Sequence, residues 1–184
     1  MTVLVTVGST QFDKLLDSVH NKEIHEKLYS FGYHSLVYQY GSGTCPPELF
    51  KSPLKIQKFE YSNEFSKILT TADLVIGHCG AGTILESLTP PLERKLICVI
   101  NTNLMDNHQL ELATSLNHRG YCLATYPQHL KDLIFNGKSH DPFIHHGGST
   151  NPIDIQVDSS KVFKPFTRGD SKLLNNFLIE IMKK

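Results

Sequence analysis

Residues 72–86 read Ala72-Asp73-Leu74-Val75-Ile76-Gly77-His78-Cys79-Gly80-Ala81-Gly82-Thr83-Ile84-Leu85-Glu86. A β-branched apolar run, a glycine-rich turn and a helical pattern follow one another without a break. The run Leu74–Ile76 predicts a buried strand, Gly77–Gly82 a turn, and Thr83–Leu88 a helix that Pro90-Pro91 stops. Glycines let backbone N–H groups approach a ligand without Cβ interference. A helix start adds unpaired N–H donors and the positive end of a dipole, so an anion such as a phosphate or diphosphate is the natural guest.

The same unit recurs on both sides. Val3–Val7, Leu36–Tyr40, Leu54–Phe59, Leu96–Ile100 and Tyr121–Thr125 read as strands. Phe12–Val19, Ile24–Phe31, Asn63–Thr71 and Asn107–Leu116 carry apolar residues at helical spacing. Short apolar strands alternating with amphipathic helices predict an α/β fold with a Rossmann-like parallel sheet, whose ligands bind beyond the carboxyl ends of the strands. This domain spans residues 1–126. Residues 127–163, rich in Gly, Ser, Asn, Pro and His after position 138, are expected to be irregular or flexible, with one short helix near His129–Phe135. Residues 164–184 return to a helix with a stripe of Leu173, Leu174, Phe177, Leu178, Ile181 and Met182. That C-terminal helix either packs back on the sheet or docks a partner.

Composition narrows the function. The chain has 184 residues, room for one domain at roughly 100–200 residues each. Lys+Arg and Asp+Glu each number 18, so the formal charge is zero and nothing draws the chain to nucleic acid. The opening apolar run is too short for a signal peptide, and no stretch approaches a membrane span. Cys79, Cys98 and Cys122 lie in or beside apolar runs as small hydrophobes, and Cys45 pairs with none by spacing. The cytosol is the expected compartment.

Three polar turns share one edge of the expected sheet. They are Gly8-Ser9-Thr10-Gln11, Gly77–Gly82, and Asn103-Leu104-Met105-Asp106-Asn107-His108-Gln109. Together they outline a cleft for an anionic, hydroxyl-rich ligand. Glu86 has two readings: partner of Thr83 in a capping box, or acceptor for ribose hydroxyls one turn from a bound phosphate. Asp106 and Gln109 form a second candidate box. A P-loop is absent, and the dinucleotide fingerprint fails at Leu85, which disfavours a nicotinamide enzyme. No Asp-x-Asp occurs, His145-His146 lacks nearby ligands, and no metal site or resident cofactor is expected. No nucleophile motif or general acid–base pair stands out, which leaves a non-catalytic nucleotide-sugar-binding scaffold as an alternative.

Val5–Thr10, Ala72–Ile84 and Leu104–Gln109 resemble the donor-binding half of GT-B glycosyltransferases of family 28. Within it the chain is most similar to a single-domain eukaryotic branch that serves asparagine-linked glycosylation. The resemblance implies a UDP-GlcNAc-dependent inverting transferase acting on dolichyl-diphosphate-GlcNAc. It implies that Gly80, Ala81, Gly82 and Thr83 hold the diphosphate, that Ser9 and Thr10 contact phosphate, and that Glu86 binds ribose. Asn107 and Gln109 would hold GlcNAc, with His78 and His108 as candidates near the transferred group, and Phe59-Glu60-Tyr61 would border uracil. Val7 stands where the bacterial relatives carry a glycine. A membrane-anchored subunit carrying the acceptor half, at the cytosolic face of the endoplasmic reticulum, is the implied partner in a heterodimer.

Overall fold

The computed structural model describes residues 1–89, 94–101, 108–140 and 154–156. Strands β1 (Thr2–Thr6), β2 (Ser35–Gln39), β3 (Lys55–Phe59), β4 (Leu74–His78), β5 (Lys95–Val99) and β6 (Leu123–Thr125) form one sheet. Its order is β3-β2-β1-β4-β5-β6 and every neighbouring pair is parallel. The helices are α1 (Asp13–Val19), α2 (Lys22–Ser30), α3 (Phe65–Thr70), α4 (Ala81–Leu88), α5 (His108–His118) and α6 (Leu130–Asn136). A separate antiparallel pair joins β7 (Lys138–His140) to β8 (Asp154–Gln156). The expected Rossmann-like sheet is therefore present, with strand ends within two residues of their expected positions.

The two-residue period of a strand sends alternate side chains to opposite faces. Val3, Val5, Leu36, Tyr38, Leu74, Ile76, Ile97 and Val99 enter one core with Leu15, Leu16, Ile24, Leu28, Leu130 and Leu133. Leu4, Val37, Val75, Leu96 and Cys98 enter the other with Leu69, Ile84, Leu88, Leu112 and Leu116. Helices α1, α2 and α6 thus cover one face, and α3, α4 and α5 the other. Both faces being buried explains why the strands read as continuous apolar runs. Cys79, Cys98 and Cys122 are free thiols in the second core, and Cys45 is free and exposed.

The short helix expected near His129–Phe135 is present as α6, and it packs into the first core. Pro127–His129 forms a 3-10 turn that leads directly into α6, whose Leu130, Leu133 and Ile134 are buried. Gly137 ends the helix in the left-handed region at φ 62°. A seven-residue helix carries too little periodicity to mark itself as core. The remainder of the 127–163 segment, apart from 138–140 and 154–156, lies outside the described residues, as does the expected C-terminal helix at 164–184.

Helix α2 starts at an Asn21 side chain that accepts from the Glu23 N–H at 2.9 Å. Helix α4 is held at its other end, where the buried Arg94 guanidinium donates to the carbonyls of Glu86 (2.7 Å) and Ser87 (3.5 Å). A cation on those carbonyls complements the negative end of the helix dipole and ties α4 to β5. No helix among the described residues is long and apolar enough to cross a membrane.

One buried polar cluster sits beneath the first face. The His25 ring lies between Ser52 Oγ (2.9 Å) and Tyr38 Oη (3.0 Å) and has no exposed surface. Burial, with the nearby His20, pushes its pKa down to about 4. The folded state therefore resists a proton that the unfolded chain accepts near pH 6.5. Stability is full above pH 6.5 and falls as pH drops toward 4, by about 2 kcal/mol once solvent screening is discounted. Urea midpoints measured between pH 7.5 and 4 should show this loss, and a His25→Gln variant should flatten that part of the profile.

Candidate functional site

The strand order reverses at β1, with β2 and β3 on one side of it and β4 to β6 on the other. Ligands of open α/β sheets bind at such a reversal, beyond the carboxyl ends of the strands. Here a cleft of about 280 Å³ opens between the ends of β1, β2 and β4, lined by Gly8, Gln39, Tyr61, Ser62, Phe65, Gly82, Thr83 and Glu86. Four of the expected positions, Tyr61, Gly82, Thr83 and Glu86, share this cleft with the turn after β1.

Helix α4 begins at Ala81, two residues before the expected start, with Gly80 as an extended cap residue and no capping side chain. The first intrahelical bond runs from the Ile84 N–H to the Gly80 carbonyl at 3.0 Å. Helix geometry leaves the N–H groups of Ala81, Gly82 and Thr83 unspent by the helix. The Gly80 N–H is different, because it donates to the His78 carbonyl at 2.8 Å. This start removes the capping-box reading of Glu86. Thr83 is the third helical residue and not a cap, so Thr83 and Glu86 form no capping box. The Glu86 side chain is exposed on the cleft, where it accepts a hydrogen bond from Ser66 Oγ at 3.1 Å.

His78 ends β4 with 8 % of its surface exposed. Its ring fills the gap between the turns after β1 and β4. A Cβ added at Gly8 would fall 2.5 Å from its Cε1, and one at Gly80 would fall 2.1 Å from its Nε2. Both positions must be glycine for the ring to fit, and Gly8 also needs its freedom at φ +64°. Burial lowers the His78 pKa, partly offset by the Thr6 backbone, and its buried Nδ1 has no hydrogen-bond partner. The side chain is a neutral wedge that shapes both turns.

The turn after β1 is braced from within. Thr10 Oγ1 donates to the Val7 carbonyl at 2.8 Å, and the Thr10 N–H reaches the same oxygen at 3.3 Å. Ser9 is exposed beside it. Val7 is fully buried in the first core. Beyond β2, the Thr44 N–H donates to Asp13 Oδ1 at 2.8 Å, and this bond leads the causes that lower the Asp13 pKa.

The sequence reading missed Gln39. It closes β2 and is 3 % exposed, and its carboxamide meets Thr6, Gly8 and Glu60. The available signal was a polar residue ending an otherwise apolar strand. Tyr61, half exposed, follows Glu60 on the cleft wall, where the segment 59–61 was expected. Gln109 lies in the first turn of α5, and its buried Oε1 has no hydrogen-bond partner. His108 opens that helix, and Asn107 lies outside the described residues. No group of three or more metal-binding side chains occurs among the described residues.

Comparison with known proteins places this cleft in a family. A solution NMR structure of ALG13 superposes with a TM-score of 0.60 at 23 % identity, covering 100 % of this chain and 96 % of that one. The MurG crystal structure from Acinetobacter baumannii gives a TM-score of 0.52 at 20 % identity over 72 % of this chain and 39 % of that one. Both share the fold. In sequence, the human UDP-N-acetylglucosamine transferase subunit ALG13 is 42 % identical over 120 residues, which are 65 % of this chain and 10 % of that protein. The subunit of the same name from Yarrowia lipolytica is 33 % identical over 68 % of this chain and 65 % of its own length. The chain thus spans about a tenth of the human relative and about two thirds of the yeast one. The model of the glycosyltransferase family 28 C-terminal domain matches residues 2–142, and the chain belongs to that family.

Proposed function

We propose that this chain is the donor-binding part of an N-acetylglucosaminyltransferase that moves GlcNAc from UDP-GlcNAc to dolichyl-diphosphate-GlcNAc during asparagine-linked glycosylation. The observation that carries this reading is the uncapped start of α4, which opens beside a cleft with Glu86 one turn further on. Family membership and the names of the relatives support the substrate class.

On this reading, the Ala81, Gly82 and Thr83 N–H groups hold the diphosphate, and Ser9 and Thr10 approach it from the turn after β1. Glu86 accepts from the ribose hydroxyls, and the segment 59–61 borders uracil. Asn107 and Gln109 hold the GlcNAc hydroxyls, the unpaired Gln109 oxygen being free to accept from one of them. The acceptor hydroxyl attacks C1 of GlcNAc with inversion. The bond from C1 to the β-phosphate oxygen breaks, its electron pair leaves with UDP, and the hydroxyl proton passes to a base. Oriented N–H dipoles stabilise the charge that grows on UDP, an oxyanion-hole role that assigns the diphosphate no metal ion. His78 serves as the wedge described above, so of the two histidines His108 is the one we retain near the transferred sugar.

The relatives are named as subunits, which supports a partner for this chain too. We assign that partner the acceptor half, the membrane anchor and the general base. The pair would work at the cytosolic face of the endoplasmic reticulum.

A radiolabelled transfer assay with the reconstituted pair tests the reading, and no transfer from UDP-GlcNAc would defeat it. Removing divalent cations with EDTA should change the rate by less than about twofold, since fixed dipoles carry the charge. Glu86→Ala should raise KM about tenfold or more while the melting temperature holds, because Glu86 caps nothing. Activity that survives changes in all three turns would favour the scaffold alternative.

Two alanine substitutions separate shape from binding. A Cβ at Gly82 meets no atom within 4 Å of it, whereas one at Gly80 collides with His78. Gly82→Ala should keep or slightly raise stability, since alanine suits a helix better, yet weaken UDP binding by filling the space over the N–H groups. Gly80→Ala should cost about 1–3 kcal/mol through overpacking. Paired thermal melts and UDP titrations of the two variants provide the check.

A further inference from the structure

The main-chain ladder between β1 and β2 ends where the Val7 N–H donates to the Gln39 carbonyl at 3.2 Å. Beyond it the Gln39 side chain takes over. Its Oε1 accepts from Thr6 Oγ1 (2.5 Å) and from the Gly8 N–H (2.9 Å). Its Nε2 donates to the Gly8 carbonyl (2.8 Å) and to the Glu60 carbonyl (2.8 Å). The amide thus pairs with both main-chain groups of Gly8, as a strand residue would, and reaches in the same plane to the loop after β3.

That reach matters because β2 separates β1 from β3. Strands two apart lie roughly 9–10 Å from each other and share no ladder. Their loops nevertheless form opposite walls of the cleft, with Gly8 on one and Tyr61, the residue after Glu60, on the other. Gly8 is fixed from two sides, by the Gln39 amide and by the His78 ring. All four contacts need two acceptor sites on one atom and two donor hydrogens on the other. Glutamate of the same shape lacks the donors, and asparagine is one methylene short.

We propose that Gln39 is a positioning residue for the nucleotide end of the cleft: its carboxamide, through Gly8 and Glu60, sets the spacing at which the β1 and β3 loops face Gly82 and Glu86. It touches no reacting atom in this role. The inference rests on the nucleotide-sugar reading for its ligand, but the clamp itself does not.

Two variants test it in the reconstituted pair. Gln39→Glu keeps the shape and turns two donors into acceptors facing carbonyls. Gln39→Met keeps the bulk and removes all four bonds. Both should raise KM for UDP-GlcNAc about tenfold or more and change kcat by less than about threefold, since misplaced walls weaken binding without altering the reacting groups. In NMR spectra of the chain, the amide signals of Gly8, Glu60 and Tyr61 should move while those of β5 and β6 stay. A folded variant with parental KM, or shifts spread across the whole sheet, would overturn the proposal.

If neither variant folds, the parent chain decides. Its Gly8 amide and Gln39 side-chain NH2 must exchange slowly with solvent, and a Gly8 amide exchanging as fast as that of exposed Ser9 refutes the clamp. A parent chain that shows the slow exchange but binds no UDP would defeat the functional reading and leave the clamp standing.

Discussion

The reversal of strand order at β1 is the constraint on which the other features depend. β1 pairs in parallel with both β2 and β4, so the chain runs outward to β3, crosses back, and runs outward again to β6. The crossovers after β1 carry α1 and α2 over one face, and those after β4 carry α4 and α5 over the other. The two departing loops must separate, and the gap between them becomes the cleft. His78 fills the bottom of that gap. Gly8 and Gly80 lack side chains because the ring occupies the place where a Cβ would stand. The glycine turn therefore has two distinct reasons for its composition. Gly80 makes room for the His78 ring, whereas a Cβ at Gly82 would enter open space, which the proposed reading gives to the diphosphate.

The cleft gathers positive potential without cationic side chains. None of its lining residues is Lys or Arg. A helix start contributes roughly half a positive charge, spread over N–H groups that point in fixed directions. Such a site binds an anion by geometry more than by net charge, in keeping with a neutral chain. For the departing diphosphate of the proposed reaction this would be useful. Fixed dipoles need not reorganise as charge develops, and they hold the product less tightly than a cluster of buried cations would.

The residues that announce themselves in the sequence are those whose signal is local. The runs of Val, Ile and Leu mark β1, β2, β4 and β5 because both faces of the sheet are covered. The Gly80-Ala81-Gly82-Thr83 turn shows itself by composition alone. Residues whose role depends on distant chain do not. Gln39 meets Thr6 and Gly8 from more than thirty positions away, and no period or spacing encodes that meeting. Helix α6 shows as a short helix in the sequence, but its place in the core does not: its three buried residues matter only because α1 and α2 leave a place for them. The start of α4 was misplaced by two residues because Ala81-Gly82 looks like turn. The structure lets an apolar strand, and not a capping side chain, launch the helix.

That two-residue difference changes the chemistry of the site. With Thr83 as cap, the carboxylate of Glu86 would fold back onto the helix start and neutralise the potential that draws an anion. With the start at Ala81, Glu86 sits more than a full turn along, roughly 7–8 Å from the first free N–H at 1.5 Å per residue. On the proposed reading, that distance lets it accept from neutral hydroxyls without occupying the place of the diphosphate. A carboxylate any closer would repel that group. On the reading proposed above, the acceptor that would meet the sugar is the unpaired Gln109 amide oxygen, which carries no charge. An acid set back along the helix, with a neutral amide as the proposed sugar acceptor, would suit a doubly anionic diphosphate between two polyols.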